Sequence, residues 1–139
     1  MELKKLTDTL SVGPQIDVDD LPELAVRGFK AILGNRPEGE GPDQPQWEEL
    51  AAAARNHGLE ARQVPVVPGQ IGDEDVEAFR QAISELPKPV AAFCRTGTRS
   101  TMLWALANSE GLSADERIRA AADQGYDISS LRPRLSKDD

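Results

Sequence analysis

Residues 90–107 constrain the fold more than any other stretch of this 139-residue chain. Val90-Ala91-Ala92-Phe93 is a short apolar run after Pro89, and it leads straight into the polar loop Cys94-Arg95-Thr96-Gly97-Thr98-Arg99. From Ser100 to Asn108 the residues Met102, Leu103, Trp104, Ala105, Leu106 and Ala107 are apolar on most sides, which marks a helix buried among other elements. A strand, a tight loop and a buried helix form the repeating unit of parallel α/β sheets. The rest of the chain fits that class, because short apolar runs alternate with helical patterns between Gly and Pro punctuation, and no repeat at a period of roughly 20–50 residues appears.

The remaining elements follow from the same signals. Leu10 to Gly13, with the segment to Ile16, reads as a first strand or hairpin. Asp17 to Asp20 are acidic cap candidates for a helix that carries Pro22 in its first turn and stops at Gly28. Phe29 to Leu33 reads as a strand and residues 35–44 as a loop. Pro45 then opens a helix with Trp47, Leu50, Ala51 and Ala54 on one face and Gly58 at its end. Leu59 to Val67 is another strand, followed by the turn Pro68-Gly69-Gln70. Asp73 is the expected N-cap of a helix whose buried stripe is Val76, Phe79, Ile83 and Leu86. Ser113 and Glu116 have capping-box spacing for a last helix carrying Ile118, Ala121 and Ala122 and closed by Gly125. The length suggests one domain over residues 1–139, with a mobile tail at 136–139.

Charge and residue counts remove several function classes. Sixteen Lys and Arg stand against 24 Asp and Glu, a formal charge of −8, which opposes the phosphate neutralisation that nucleic-acid binding depends on and gives no grip on anionic lipid. No apolar run approaches the ~20 residues of a membrane helix, and the opening residues lack the apolar core of a secretion signal. The expectation is a cytoplasmic protein. One Cys and one His exclude an internal disulfide and the usual zinc clusters, and no metal or organic cofactor is implied.

The chemistry concentrates at the loop. Cys94 stands at the carboxyl end of a strand and at a helix N-terminus, where open α/β sheets bind ligands. Unpaired backbone N–H groups and the helix dipole there favour an anion, Gly97 permits a backbone conformation that a side chain would obstruct, and Arg95 and Arg99 add two cations. Such a setting favours the nucleophilic thiolate. A lone cysteine after an apolar strand is otherwise a small buried hydrophobe, but Arg, Thr and Gly are the wrong neighbours for a core position.

The segment Cys94-Arg95-Thr96-Gly97-Thr98-Arg99-Ser100 resembles the loop of rhodanese-type sulfurtransferases. The chain over residues 5 to 135 is similar to a bacterial family of phosphatase-like sulfur transferases, found alone or fused to persulfide dioxygenases in the beta-lactamase-hydrolase-like proteins. The matching segments are Asn35-Arg36-Pro37 with the acidic turn to Gln44-Pro45, Val66 to Asp75, and the cysteine loop through Trp104. The resemblance implies a three-layer α/β/α fold of the dual-specificity protein-tyrosine-phosphatase type, with a four-stranded, largely parallel sheet. It further implies Cys94 as nucleophile, Arg99 with it, and Arg95, Thr96, Gly97 and Thr98 around a small anionic sulfur substrate. A thiol or cyanide acceptor and a persulfide dioxygenase partner complete what it implies. Protein tyrosine phosphatases place five residues between Cys and Arg, whereas four separate Cys94 from Arg99, and the smaller loop suits a single sulfur atom better than a phosphoryl group.

Two alternatives to sulfur transfer stay open: a cysteine-dependent phosphatase, and a non-catalytic persulfide carrier or sensor. A phosphatase needs a general acid, for which Asp73 and Asp75 are the candidates, although both also suit helix capping. Arg36 either reaches the rim of the site to attract an anion or pairs within its loop with Glu38, Glu40 or Asp43; Gln70 is placed similarly. Ser100 either donates to the Cys94 thiolate or caps its helix. His57 reads as a helix C-cap, and Trp47 and Trp104 as core.

Overall fold

Strand formation begins earlier than the apolar pattern indicates. The computed structural model describes residues 1–138, and its first strand, β1 (Lys4–Thr7), is mostly polar and exposed; it pairs antiparallel with β2 (Leu10–Gly13). Lysines on such an edge discourage further strand addition. The remaining strands, β3 (Ala31–Gly34), β4 (Glu60–Gln63) and β5 (Val90–Phe93), run parallel to β2 in the order β1-β2-β5-β3-β4. The expected four parallel strands are therefore present, and β1 adds an antiparallel edge.

β5 occupies the centre because all four of its residues can be buried on both faces, as a parallel core strand requires. Val90 and Ala92 face one side together with Val12, Leu33 and Leu103; Ala91 and Phe93 face the other together with Ile32, Leu24 and Leu50. Two helices cover this second face, α1 (Leu21–Val26) and α2 (Trp47–Asn56). The first face is covered by α3 (Asp73–Glu85), α4 (Thr98–Ala107), α5 (Ala114–Asp123) and the short α6 (Arg132–Leu135). The result is the expected three-layer α/β/α arrangement. Trp104 is 6% exposed within the first layer and Trp47 packs against the second, so both belong to the core.

Two helix starts show how local chemistry sets boundaries. Ser113 caps α5 as its spacing indicates, accepting from the Glu116 N–H at 3.1 Å while Glu116 accepts from the Ser113 N–H at 3.0 Å. At α3 the expected cap is displaced by one residue: Gly72 is the N-cap, and Asp75 accepts from its N–H at 3.0 Å. Asp73 is then free to lie in the first turn, where its charge suits the helix dipole. After Leu135 the chain continues as a short 3-10 turn, Ser136–Asp138, and the last position of the expected tail, residue 139, lies outside the described residues.

Candidate active site

The loops after β3, β4 and β5 leave the sheet at the same end, and a cleft of about 910 Å³ opens between them. Parts of the loops 36–42 and 67–71 line it together with Arg95, Thr96, Thr98 and Arg99, with Leu131 and Arg134 closing one side. This is the carboxyl end of a parallel sheet, the place the sequence indicates.

Within the loop, Gly97 caps α4 in a left-handed conformation, φ +97° and ψ −11°, and its N–H donates to Cys94 Sγ at 3.0 Å. One loop amide thus meets the sulfur as a donor. A side chain at Gly97 would also collide with Tyr126, whose Oη lies 2.2 Å from where a Cβ would stand. Tyr126 Oη donates to the Thr96 carbonyl at 3.0 Å and so pins the loop from above. Burial raises the Tyr126 phenol above its ordinary value, with the Cys94 and Glu2 charges acting in the same direction, and the hydroxyl stays a donor at neutral pH.

Cys94 itself is set deeper than a residue at a loop mouth is expected to be. It is 1% exposed and is not among the cleft-lining residues, whereas Arg95, Thr96, Thr98 and Arg99 are. The reason is the shape of the turn, which draws the thiol back under the Gly97 amide.

Arg99 is nearly buried and strongly held. Its Nη1 and Nη2 donate to the two carboxylate oxygens of Glu40, each at 2.8 Å, and Nη1 also donates to the Val66 carbonyl at 2.9 Å. This end-on fork leaves the Nε edge of the guanidinium available for an anion. Glu40 accepts from Arg36 Nε as well, at 2.8 Å, and Arg36 Nη1 donates to Gln15 Oε1 at 2.9 Å. The Arg99 hydrogen bond, and after it Arg36, holds the Glu40 carboxyl below the ordinary carboxylate range despite an opposing contribution from burial. Arg36 therefore makes the pairing within its loop, with Glu40, and it also lines the cleft.

Ser100 is corrected. Its side chain is fully buried and its hydroxyl donates to Asn35 Oδ1 at 2.8 Å, away from the thiol and the cleft. Asn35 in turn donates from Nδ2 to the Val64 carbonyl at 3.0 Å. The pair ties α4 to the ends of β3 and β4, because a buried hydroxyl needs a partner and Asn35 is the one within reach. Gln70 does not line the cleft, and His57 is exposed at the end of α2. Asp75 is used as a cap, and Asp73 is fully exposed, 3.7 Å from Arg134, beside a smaller cleft. Among the described residues, Glu40 supplies the sole carboxylate that lines the main cleft.

Sequence reasoning missed Glu40 as a partner of Arg99, along with Tyr126, Gln15 and Asn35. Glu40 was visible as an acid in a loop near Arg36, but nothing in its spacing points to a residue 59 positions away. Tyr126, the single tyrosine, had no signal beyond its position after Gly125.

The chain matches the model of the phosphatase-like domain of beta-lactamase hydrolase-like proteins over residues 2–111. A beta-lactamase hydrolase-like protein of Xylella fastidiosa strain Temecula1 is 36% identical over 130 residues, covering 92% of this chain and 30% of that protein, so the chain spans about a third of the length of this curated relative. A solved structure of a candidate phosphatase from Neisseria meningitidis Z2491 is 36% identical, with a TM-score of 0.84 over 97% of this chain and 96% of that one. Tk-PTP in its active form, at 19% identity and a TM-score of 0.75 over 97% and 91% of the two chains, shares the fold. The protein-tyrosine-phosphatase-like architecture expected from the sequence is thereby established.

Proposed function

Because this chain belongs to the phosphatase-like domain family of beta-lactamase hydrolase-like proteins, we propose that it uses the cysteine chemistry of that fold to move sulfane sulfur through a Cys94 persulfide. One observation carries the reading: the carboxylate that lines the cleft among the described residues, Glu40, is tied to Arg36 and Arg99 and is not placed as a proton donor to a leaving group. An alkoxide leaving from a phosphate ester needs that proton. Sulfite or a thiolate leaves without it.

In the first half-reaction the Cys94 thiolate attacks the terminal sulfur of thiosulfate. A Cys94 S–S bond forms, the S–S bond of thiosulfate breaks, and sulfite departs with the bonding electron pair. Arg99 and the exposed Arg95 line the cleft that receives the departing anion, and the Gly97 N–H supports the sulfur. A low-molecular-weight persulfide reacts in the same way and releases its thiolate. In the second half-reaction cyanide or a thiol attacks the outer sulfur of the persulfide and restores the thiolate, a ping-pong cycle.

The second reading is a cysteine-dependent phosphatase, and the kinship with phosphatase structures speaks for it more directly than for sulfur transfer. Asp73 would be its acid. A cytoplasmic location and a persulfide dioxygenase as the acceptor's consumer belong to the first reading. The experiment compares wild type with Cys94→Ser on thiosulfate plus cyanide and on an aryl phosphate. The proposal expects thiocyanate from wild type alone and negligible phosphate release; Cys94-dependent phosphate release without thiocyanate overturns it.

A further inference from the structure

The cleft is much larger than thiosulfate requires. About 910 Å³ falls in the range that encloses whole organic ligands, roughly 300–1,000 Å³. Its apolar wall is preformed, because Ile71, Met102 and Leu131 line it while packing against the core beneath. Four arginines line the same cleft against one carboxylate, in a chain whose net charge is −8. Cation concentrated in so acidic a protein marks an anionic ligand.

The four arginines are not equivalent. Arg36 and Arg99 are engaged by Glu40. Arg95 is exposed next to the nucleophile, with no side-chain partner among the described residues. Arg134, on α6, is anchored through Nη1 to the Ile71 carbonyl at 3.0 Å; its Nη2 is 3.7 Å from the fully exposed Asp73 carboxylate, a contact that water screens. Its guanidinium is thus fixed beside the apolar wall with N–H donors to spare.

Building on the sulfur-transfer reading, we propose that the donor is an organic sulfane-sulfur compound with an apolar body and a second anionic group, and that Arg134 is the specificity residue that reads this group. Ile71, Met102 and Leu131 hold the body, and thiosulfate acts as a minimal donor. The chemistry is unchanged: the Cys94 thiolate bonds to the terminal sulfur, the S–S bond to the donor's inner sulfur breaks, and the departing sulfinate or thiolate keeps the electron pair.

Three donors test this with cyanide as acceptor: thiosulfate, benzenethiosulfonate and para-carboxybenzenethiosulfonate. The expected kcat/KM rises in that order, with KM carrying the difference. Arg134→Gln should cut the advantage of the carboxylated over the plain aryl donor about tenfold, as loss of one charge-assisted hydrogen bond implies, and Arg134→Lys should keep part of it. Leu131→Ala should reduce the advantage of both aryl donors over thiosulfate. If Arg134 only braces Ile71, all three donors move together, and that result overturns the proposal. A second arm is independent of turnover: calorimetric binding of sulfite, benzenesulfinate and para-carboxybenzenesulfinate to the Cys94→Ser protein. Tightening in that order, abolished for the carboxylate by Arg134→Gln, supports the inference even if no donor yields thiocyanate, a failure that would sink the sulfur-transfer reading alone. Equal binding of the three anions overturns the inference.

Discussion

Replacing Gly97 by alanine tests whether the cysteine loop has the shape that the chemistry needs. At φ +97° an L-residue carries a backbone strain of about 1–3 kcal/mol. The new Cβ would also stand 2.2 Å from Tyr126 Oη, 2.9 Å from its Cζ and 3.2 Å from the Gly13 carbonyl carbon. Tyr126 can withdraw, but only by giving up its bond to the Thr96 carbonyl, about 1 kcal/mol. Together these amount to about 2–4 kcal/mol, and at roughly 3–4 °C per kcal/mol for a chain of this size the midpoint should fall by roughly 6–16 °C in a thermal unfolding scan. Turnover should fall about 100-fold, because the amide that faces Sγ moves with the loop. Tyr126→Phe removes the colliding oxygen, so the double variant should be less destabilised than the sum of the two single changes by about 1–2 kcal/mol. Additive losses, or a Gly97→Ala protein with unchanged midpoint and turnover, would refute the loop geometry argued above.

Three further outcomes follow from the site. Glu40→Gln should lower kcat/KM about tenfold by releasing the Arg99 fork. Because the Glu40 carboxyl is held below its ordinary value, its stabilising contribution is complete above the ordinary carboxylate range and disappears as the pH falls through its own lower value; the unfolding midpoints of wild type and Glu40→Gln should therefore differ at neutral pH and converge in acid. Ser100→Ala leaves the Asn35 oxygen without its donor in a fully buried position and should cost about 1–3 kcal/mol in urea unfolding with little change in KM; an unaltered urea midpoint would show that the Asn35 oxygen finds another donor. Asp73→Asn and Asp75→Asn should leave turnover within about twofold, whereas a drop above tenfold for Asp73→Asn would identify a general acid and favour the phosphatase.

Much of this fold was legible because its core elements obey strong local rules. VAAF reads as a buried strand and is one, residue for residue; the Gly28, Gly58 and Gly125 helix ends fall where positive φ is needed; and the Ser113–Glu116 box is made as spacing dictates. The β1 strand was hidden because an edge strand needs no apolar alternation, and Lys4 and Lys5 look like a polar leader. The strand expected at Leu59 to Val67 is regular only over Glu60–Gln63, since Pro65 has no N–H to give the ladder, though Val64 and Val66 still donate to Gly34 and Asn35. At the site, the loop from Cys94 to Arg99 announced itself through residue type and order. The contacts that shape it did not, because Glu40, Tyr126 and Asn35 reach it from far along the chain, and long-range pairing leaves no periodic trace in a single sequence.

The persulfide is the claim on which the rest depends, and it can be weighed directly. Protein incubated with thiosulfate, freed of small molecules and examined by intact mass spectrometry should gain the mass of one sulfur atom, located on Cys94 by peptide mapping and removed by cyanide as stoichiometric thiocyanate. A protein that gains nothing from thiosulfate but traps a phosphoryl group on Cys94 from an aryl phosphate would contradict the account.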